Sequence, residues 1–265
     1  MNIGIISRSN LEDRVFWSGI ENALYTQLKS SKYINVIKID KLNNSLRKIF
    51  ALKREYMKYI NNVKYDDIYN NIISKNFSKQ IEKKIKNLNL YFLLVFDSSL
   101  VAYLDTSVPI ILWTDILYSE YYNHYFKHKN ISNDTKRDIK NLERKTITKC
   151  SKVFLSSEWA LKKAKKKYKN FYKKFYHLNL GPSFRKNIPI KHVKNSIKKR
   201  PINKINLITL SVDWKRKGLN EILKINKIIN RKGIKCYLTI IGLKQKNYLD
   251  DKNVNFLGFI NKNHP

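Results

Sequence analysis

Two short stretches, each leading from an apolar strand pattern into the start of a helix, constrain the fold of this chain most strongly. They are residues 155–160 (LSSEWA) and residues 210–218 (LSVDWKRKG). Open α/β sheets hold their ligands at such junctions, in the crevice beyond the carboxyl ends of the strands. A connector rich in Pro and Lys lies between the two stretches. The sequence therefore predicts two α/β domains that face a cleft, the second of them cut short.

Apolar runs alternate with helical periodicity in both halves of the chain, which is typical of parallel sheets covered by helices on both faces. We predict an N-terminal Rossmann-like domain at residues 1–181 and a linker at 182–203, where three prolines stand among lysines. A partial C-terminal Rossmann-like domain follows at 204–265, since three strands and one certain helix are a thin core. Asp97, Ser132 and Ser157 are placed to cap helices.

The charge balance is extreme, with 54 Lys and Arg against 20 Asp and Glu and a net charge of +34. Such an excess suits nucleic acid, an anionic membrane or a phosphorylated substrate. Biased codon usage in an AT-rich genome would produce the same abundance of Lys, Asn, Ile and Tyr. The lysines are dispersed, and no helix-turn-helix, zinc or RNP-type pattern is visible. A basic nucleic-acid-binding protein is therefore an alternative, but we expect no nucleic-acid partner.

Three features bear on the compartment. The two cysteines, Cys150 and Cys236, lack the spacing of a disulfide framework or a zinc site. The chain enters a strand pattern at once, with no charged leader before a long apolar run. The apolar stretches at 88–96 and 108–113 are too short to cross a bilayer. We expect a cytoplasmic protein.

Several segments resemble, in order and spacing, the GT-B glycosyltransferases of family 4. They are residues 155–160, 212–218, 238–242 (LTIIG) and 254–260 (VNFLGFI). The strand end at 111–115 (ILWTD) and the turn at 17–19 (WSG) are similar to one bacterial branch of that family. The resemblance implies an α/β protein of GT-B type, with two Rossmann-like domains and parallel sheets.

The resemblance also implies an activity. The C-terminal domain would hold a nucleotide-sugar donor, and the N-terminal domain would hold a saccharide or lipid-linked acceptor. Transfer would retain the anomeric configuration, as in a hexosyltransferase, and would need neither a metal ion nor another cofactor. The expected setting is the synthesis of a cell-surface polysaccharide or glycolipid.

The basic turn at 211–218 is the strongest candidate for a donor site. Cations beside helix N-terminal amides favour a phosphate or diphosphate, although a solvated turn would have the same composition. The resemblance assigns Lys217 to the donor diphosphate, with Arg216 and Gly218 beside it. Ser211 stands about where the family usually has an Arg.

Three residues of the N-terminal half complete the site that the resemblance implies. Gly19 matches a glycine turn whose backbone approaches the donor phosphates or sugar. Thr114 or Asp115 lies where many relatives have a His near the transferred sugar, so these two residues are the catalytic candidates.

The family's Glu-containing sugar-binding segment would follow Pro265. We therefore expect either a fragment of a longer transferase or a truncated, non-catalytic α/β protein. In both cases the 265-residue chain should not turn over nucleotide sugars.

Other patterns have more than one interpretation. Eight lysines between Lys162 and Lys174 would contact anionic lipid headgroups, or would simply face water on one side of a helix. Glu120, His124 and His128 have a spacing that metals use, but no closing ligand is evident and we expect no metal site. The tyrosines from Tyr118 to Tyr125 would line an acceptor groove or belong to the core.

Overall fold

A computed structural model gives the fold of the chain and describes residues 1–126, 130–181, 183, 188–243 and 251–263. By its internal contacts the chain divides into two compact units, Met1–Ser183 and Phe184–Pro265. Each unit has its own sheet.

The sheet of the first unit has strands that all run parallel. They are β1 (Asn2–Ile6), β2 (Asn35–Ile39), β3 (Phe92–Val95), β4 (Ile110–Thr114), β5 (Lys152–Leu155) and β6 (Phe175–His177). Their order in the sheet is β2-β1-β3-β4-β5-β6. The predicted α/β class with parallel strands is confirmed.

Helices connect these strands, as parallel pairing requires. They are α1 (Ile20–Lys29), α2 (Leu46–Ile60), α3 (Asn71–Ile85), α4 (Tyr118–Tyr125), α5 (Asn133–Lys149) and α6 (Glu158–Lys167). The predicted caps are present: Ser132 accepts from the amide of Thr135 at 3.1 Å, and Ser157 from that of Ala160 at 3.2 Å. Asp97 likewise begins a short 3-10 turn. No helix within the described ranges is long and apolar enough to cross a membrane.

The sheet of the first unit is buried on both faces. Leu93 and Val95 of β3 pack into one cluster with Phe77 of α3. Leu94, which points to the opposite face, packs into another cluster with Tyr25 of α1. Successive residues of a strand alternate between faces, so a continuous apolar run is what a strand with helices on both sides requires.

The second unit has a smaller parallel sheet, ordered β7-β8-β9. Its strands are β7 (Lys204–Leu210), β8 (Lys235–Ile241) and β9 (Val254–Gly258), and its helices are α7 (Ile190–Lys198) and α8 (Leu219–Arg231). Helix α8 covers one face, where Leu219 packs with Leu238. On the other face Ile208 and Leu210 are each 68% exposed. The predicted linker at 182–203 thus contains a helix, α7, whose residues are all exposed.

Replacing Phe77 by Ala should lower the free energy of unfolding by about 3–5 kcal/mol, because the ring is fully buried and its removal leaves a cavity. Ile72 lies on the same helix but is 58% exposed, so Ile72→Ala should change that free energy by no more than about 0.5 kcal/mol. Urea unfolding of both variants measures the difference. Equal losses would contradict the packing of α3 against the sheet.

Candidate functional site

The order of strands in the first unit marks one place where a ligand is expected. The chain passes from β1 outward to β2 and then returns to β3 on the other side of β1. Ligands of open parallel sheets bind beyond the carboxyl ends of the strands, where the strand order reverses. Here these ends lead into Ser7 and Arg8 after β1 and into Asp97 after β3. We call this region the switch-point site.

An ion pair joins the two strand ends of the switch-point site. The guanidinium of Arg8 lies 2.6 Å from the carboxylate of Asp97, and their side chains are only 18% and 12% exposed. Burial lowers the pKa of Arg8, but the interactions with Asp97, Tyr69, Tyr118 and Glu21 together outweigh it, so the pKa is raised. The hydroxyl of Tyr69 donates to the same carboxylate at 2.9 Å. Asp97 therefore fixes the position of the Arg8 guanidinium at the crevice.

The second carboxyl group of the switch-point site belongs to Glu21, and its burial is only partly offset by nearby hydrogen bonds and charges. Glu21 lies in the first turn of α1, is 5% exposed and accepts a hydrogen bond from the hydroxyl of Ser7. Burial raises the pKa of Glu21 to about 7, and the charge of Asp97 adds to the rise, although the Ser7 hydrogen bond and Arg8 oppose it. A carboxyl group with this pKa can give or take a proton near neutral pH.

The turn that precedes α1 is strained. Trp17, Ser18 and Gly19 have successive φ values of 42°, 58° and 82°, all in the left-handed region. A Cβ at Gly19 would lie 2.7 Å from the carbonyl oxygen of Arg14, so only glycine fits there. Strain of this kind concentrates at functional sites. The structure thus places the predicted Gly19 at the N-terminus of α1, next to Glu21.

Thr114 and Asp115 lie at the same edge of the sheet. Leu112 of β4 is opposite Val95 of β3, so Thr114 and Asp97 are each two residues beyond that pair. Thr114 is half-buried and Asp115 is exposed. The Asp115 carboxylate accepts from the amide of Ile116 at 2.9 Å. The structure therefore brings Gly19, Thr114 and Asp115 to one edge, as the carboxyl ends of parallel strands require.

The basic turn of the second unit links β7 to α8. Asp213 organises it: its carboxylate accepts from the amide of Arg216 at 2.9 Å and lies 3.8 Å from the guanidinium, and its carbonyl accepts from the amide of Lys217 at 3.2 Å. Gly218, with φ of 64°, is the N-cap of α8. Lys215, Arg216 and Lys217 are exposed. The predicted donor residues thus form one cationic turn at a helix N-terminus.

A close backbone contact shapes the crevice beside that turn. A Cβ at Gly242, after β8, would lie 2.4 Å from the carbonyl oxygen of Ser211, after β7. The hydroxyl of Ser211 donates to the carbonyl of Asp213 at 3.0 Å. Ser211, which stands where an Arg was expected, therefore supports the turn from inside. An acidic residue is also near, since the carboxylate of Glu221 approaches Gly218.

Two tyrosines of α4, Tyr118 and Tyr122, pack within the first unit. Tyr118 stacks on Tyr69 with centroids 3.5 Å apart, and Tyr118 and Tyr122 both donate to Asp66, at 2.7 and 2.6 Å. Burial, with the Asp66 charge, raises the pKa of both tyrosines. They are thus held as hydroxyl donors within the unit.

Of the three residues with a spacing that metals use, the structure describes Glu120 and His124. Glu120 lies 3.9 Å from the ammonium of Lys167, and the ring of His124 contacts Trp159. His128 lies outside the described residues. Among those described, no group of three or more His, Cys, Asp or Glu side chains could hold a metal ion.

Comparison with known proteins rests on structure. No family model and no curated protein matches this sequence. Sucrose-phosphate synthase from Thermosynechococcus elongatus superimposes with a TM-score of 0.56 at 11% identity, over 98% of this chain and 71% of that one. The S. aureus MnaA-UDP co-structure gives 0.53 at 14% identity, over 98% and 69%. Arabidopsis thaliana UGT89C1 complexed with UDP-L-rhamnose gives 0.50 at 9% identity, over 99% and 70%.

The fold is of the GT-B type. Each similarity extends over nearly the whole chain, so both units contribute to it. The predicted fold is thus confirmed, whereas membership of family 4 stays a prediction. The sequence analysis did not predict three residues of the switch-point site. Arg8 and Glu21 were not candidates, and Asp97 was predicted only as a helix cap. The signal for Glu21 was an acidic residue beside the apolar positions of a helix, directly after a glycine turn.

Glu21→Gln should change the pH dependence of stability. Because burial raises the pKa of Glu21 above its ordinary 4.5 to about 7, its contribution to the fold is fully present below pH 4.5 and is lost as the pH rises through 7. Gln does not titrate. The free energy of unfolding of the variant, relative to the parent, should therefore increase by roughly 2–3 kcal/mol over that interval.

Urea unfolding across this pH range measures the effect, with Glu12→Gln as the control. The pKa of Glu12 is lowered by its hydrogen bond with Lys38, so its contribution is lost only as the pH falls below about 4.5, and Glu12→Gln should change far less than Glu21→Gln between pH 4.5 and 7. If the free energy of unfolding of Glu21→Gln and of the parent varied with pH in the same way, Glu21 would not be a buried acid with a raised pKa.

Proposed function

We propose that this protein is a glycosyltransferase, or part of one, that takes a sugar from a nucleotide-sugar donor. The observation that carries the proposal is the cationic turn at the N-terminus of α8, within a fold of GT-B type. Two of the structural neighbours are described with a uridine nucleotide or nucleotide sugar bound, UDP and UDP-L-rhamnose. The same chemistry suits the turn of this chain.

In this proposal the second unit binds the donor diphosphate. When the bond between sugar and oxygen breaks, negative charge develops on the departing nucleoside diphosphate. Fixed cations and the partial positive charge of a helix N-terminus stabilise such a charge. Lys217 and Arg216 would supply the cations. Gly218 provides the left-handed turn that starts the helix beside them.

The first unit would bind the acceptor and surround the transferred sugar. Gly19 would bring backbone close to the donor, while Thr114 and Asp115 would contact the sugar. To these we add Glu21, whose pKa of about 7 suits it to hold a proton beside an acceptor hydroxyl. Retention of configuration, independence of metal ions and a role in cell-surface polysaccharide or glycolipid synthesis belong to the proposal as well.

A second candidate is a protein that binds the nucleotide without transfer. The uncovered face of the second sheet favours it, because parallel sheets normally have both faces covered. Ile208 and Leu210 project from that face. The two candidates differ in turnover rather than in binding.

Lys217→Gln should weaken the binding of UDP by about 10–100-fold, since a hydrogen bond between charged groups contributes roughly 1.5–3 kcal/mol. Lys227→Gln is the matched control. Lys227 is an exposed lysine within α8, whereas Lys217 precedes the helix, so its replacement removes the same charge away from the turn. Isothermal titration of UDP and of GDP into the parent and both variants measures the effect.

If Lys217→Gln bound UDP as tightly as Lys227→Gln does, and GDP likewise, the assigned role of Lys217 would be contradicted. Failure of the parent to bind any nucleoside diphosphate at millimolar concentration would contradict the proposed function itself. Release of nucleoside diphosphate from a panel of nucleotide sugars and acceptors separates a transferase from a binding protein.

A further inference from the structure

We propose that the first unit binds phosphate groups in a second place, a groove between the C-terminal parts of α5 and α6. We call it the α5–α6 groove. Its volume is about 920 Å³. Its lining residues are Ala102, Tyr103, Arg144, Lys145, Thr148, Lys149, Lys166, Lys167, Tyr168, Lys169, Asn170 and Phe171. Six of these twelve carry a positive charge and none is acidic.

Half of these cations are held by neighbouring groups. The ammonium of Lys145 lies 4.2 Å from the ring centre of Tyr103, and that of Lys149 donates to the carbonyl of Leu104 at 2.9 Å. Lys167 pairs with Glu143 at 3.1 Å. These contacts fix the walls of the groove.

The other three cations are available to a ligand. Arg144, Lys166 and Lys169 are exposed, and none of them forms an ion pair with a described residue. They are contributed by α5, by α6 and by the 3-10 segment Lys169–Lys174. Because the three charges come from separate elements around one concavity, an anion in the groove would be contacted from several sides.

Two acids, Glu143 and Glu120, lie 3.1 and 3.9 Å from the ammonium of Lys167, but neither lines the groove. The side chain of Glu143 is 0% exposed. Its carboxylate accepts from the hydroxyls of Ser119 and Tyr168, each at 2.7 Å, in addition to Lys167. With its hydrogen bonds satisfied internally, Glu143 leaves the groove positive.

Three aromatic side chains, Tyr103, Tyr168 and Phe171, also line the groove. An apolar or ring-bearing portion beside a phosphate would pack against them. The ligand class is therefore a phosphate ester, found either in the headgroup of an anionic lipid or in a soluble phosphate.

The groove is separate from the switch-point site. Helix α5 ends just before the amino end of β5, and the segment Lys169–Lys174 ends just before that of β6. The groove thus lies toward the amino ends of the strands, whereas the switch-point site lies at their carboxyl ends. Binding there would hold the protein to an anionic ligand without occupying the proposed reaction site.

The test compares two triple variants of the full chain with the same change in charge. The groove variant carries Arg144→Gln, Lys166→Gln and Lys169→Gln. The control variant carries Lys32→Gln, Lys79→Gln and Lys83→Gln, at exposed positions that do not line the groove. Equal melting temperatures of the two variants would show that the fold is retained.

One arm measures sedimentation with vesicles of phosphatidylglycerol and phosphatidylcholine at low salt. The groove variant should bind about 100-fold more weakly than the parent, since each cation near an anionic surface contributes roughly 1 kcal/mol, while the control variant loses far less. The other arm titrates inorganic pyrophosphate into the three proteins.

The pattern of losses decides the result. Selective loss of vesicle binding by the groove variant supports the proposal with a lipid phosphate as ligand, and selective loss of pyrophosphate binding supports it with a soluble one. Equal behaviour of the two variants in both arms, or no binding of either probe by the parent, would overturn it. UDP binding through Lys217 is a separate measurement, so this proposal and the proposed function can fail independently.

Discussion

Parallel pairing is the constraint on which the rest of the structure depends. When all strands of a sheet run in one direction, their carboxyl ends meet at one edge and the helices that follow begin there. Residues far apart in the sequence, such as Arg8 after β1 and Asp97 after β3, become partners 2.6 Å apart. The polar groups of the switch-point site gather at this edge because the strands that lead to it are apolar.

The two units use this geometry differently. In the first, Arg8 and Asp97 form a largely buried ion pair at this edge, and burial raises the pKa of Glu21 beside them. In the second, the corresponding turn is exposed and cationic, with Lys217 beside a helix N-terminus. In the proposed transfer from a nucleotide sugar, groups of the crevice would exchange protons and the turn would hold the diphosphate.

Much of the fold was predictable because its signals are local. Apolar runs predicted the strands, and Ser132 and Ser157 predicted helix starts, since a cap acts within four residues. Helix α7 was missed because its apolar residues lie among lysines and bury nothing. The environment of Glu21 could not be predicted, because its raised pKa depends on burial and on Asp97, a residue 76 positions away that only the sheet brings near.

A crystal structure of the chain with UDP bound tests the central claim most directly. The account predicts that the diphosphate lies at the N-terminus of α8, with a phosphate oxygen within hydrogen-bonding distance of the ammonium of Lys217. A diphosphate bound elsewhere, with Lys217 in solvent, would contradict it.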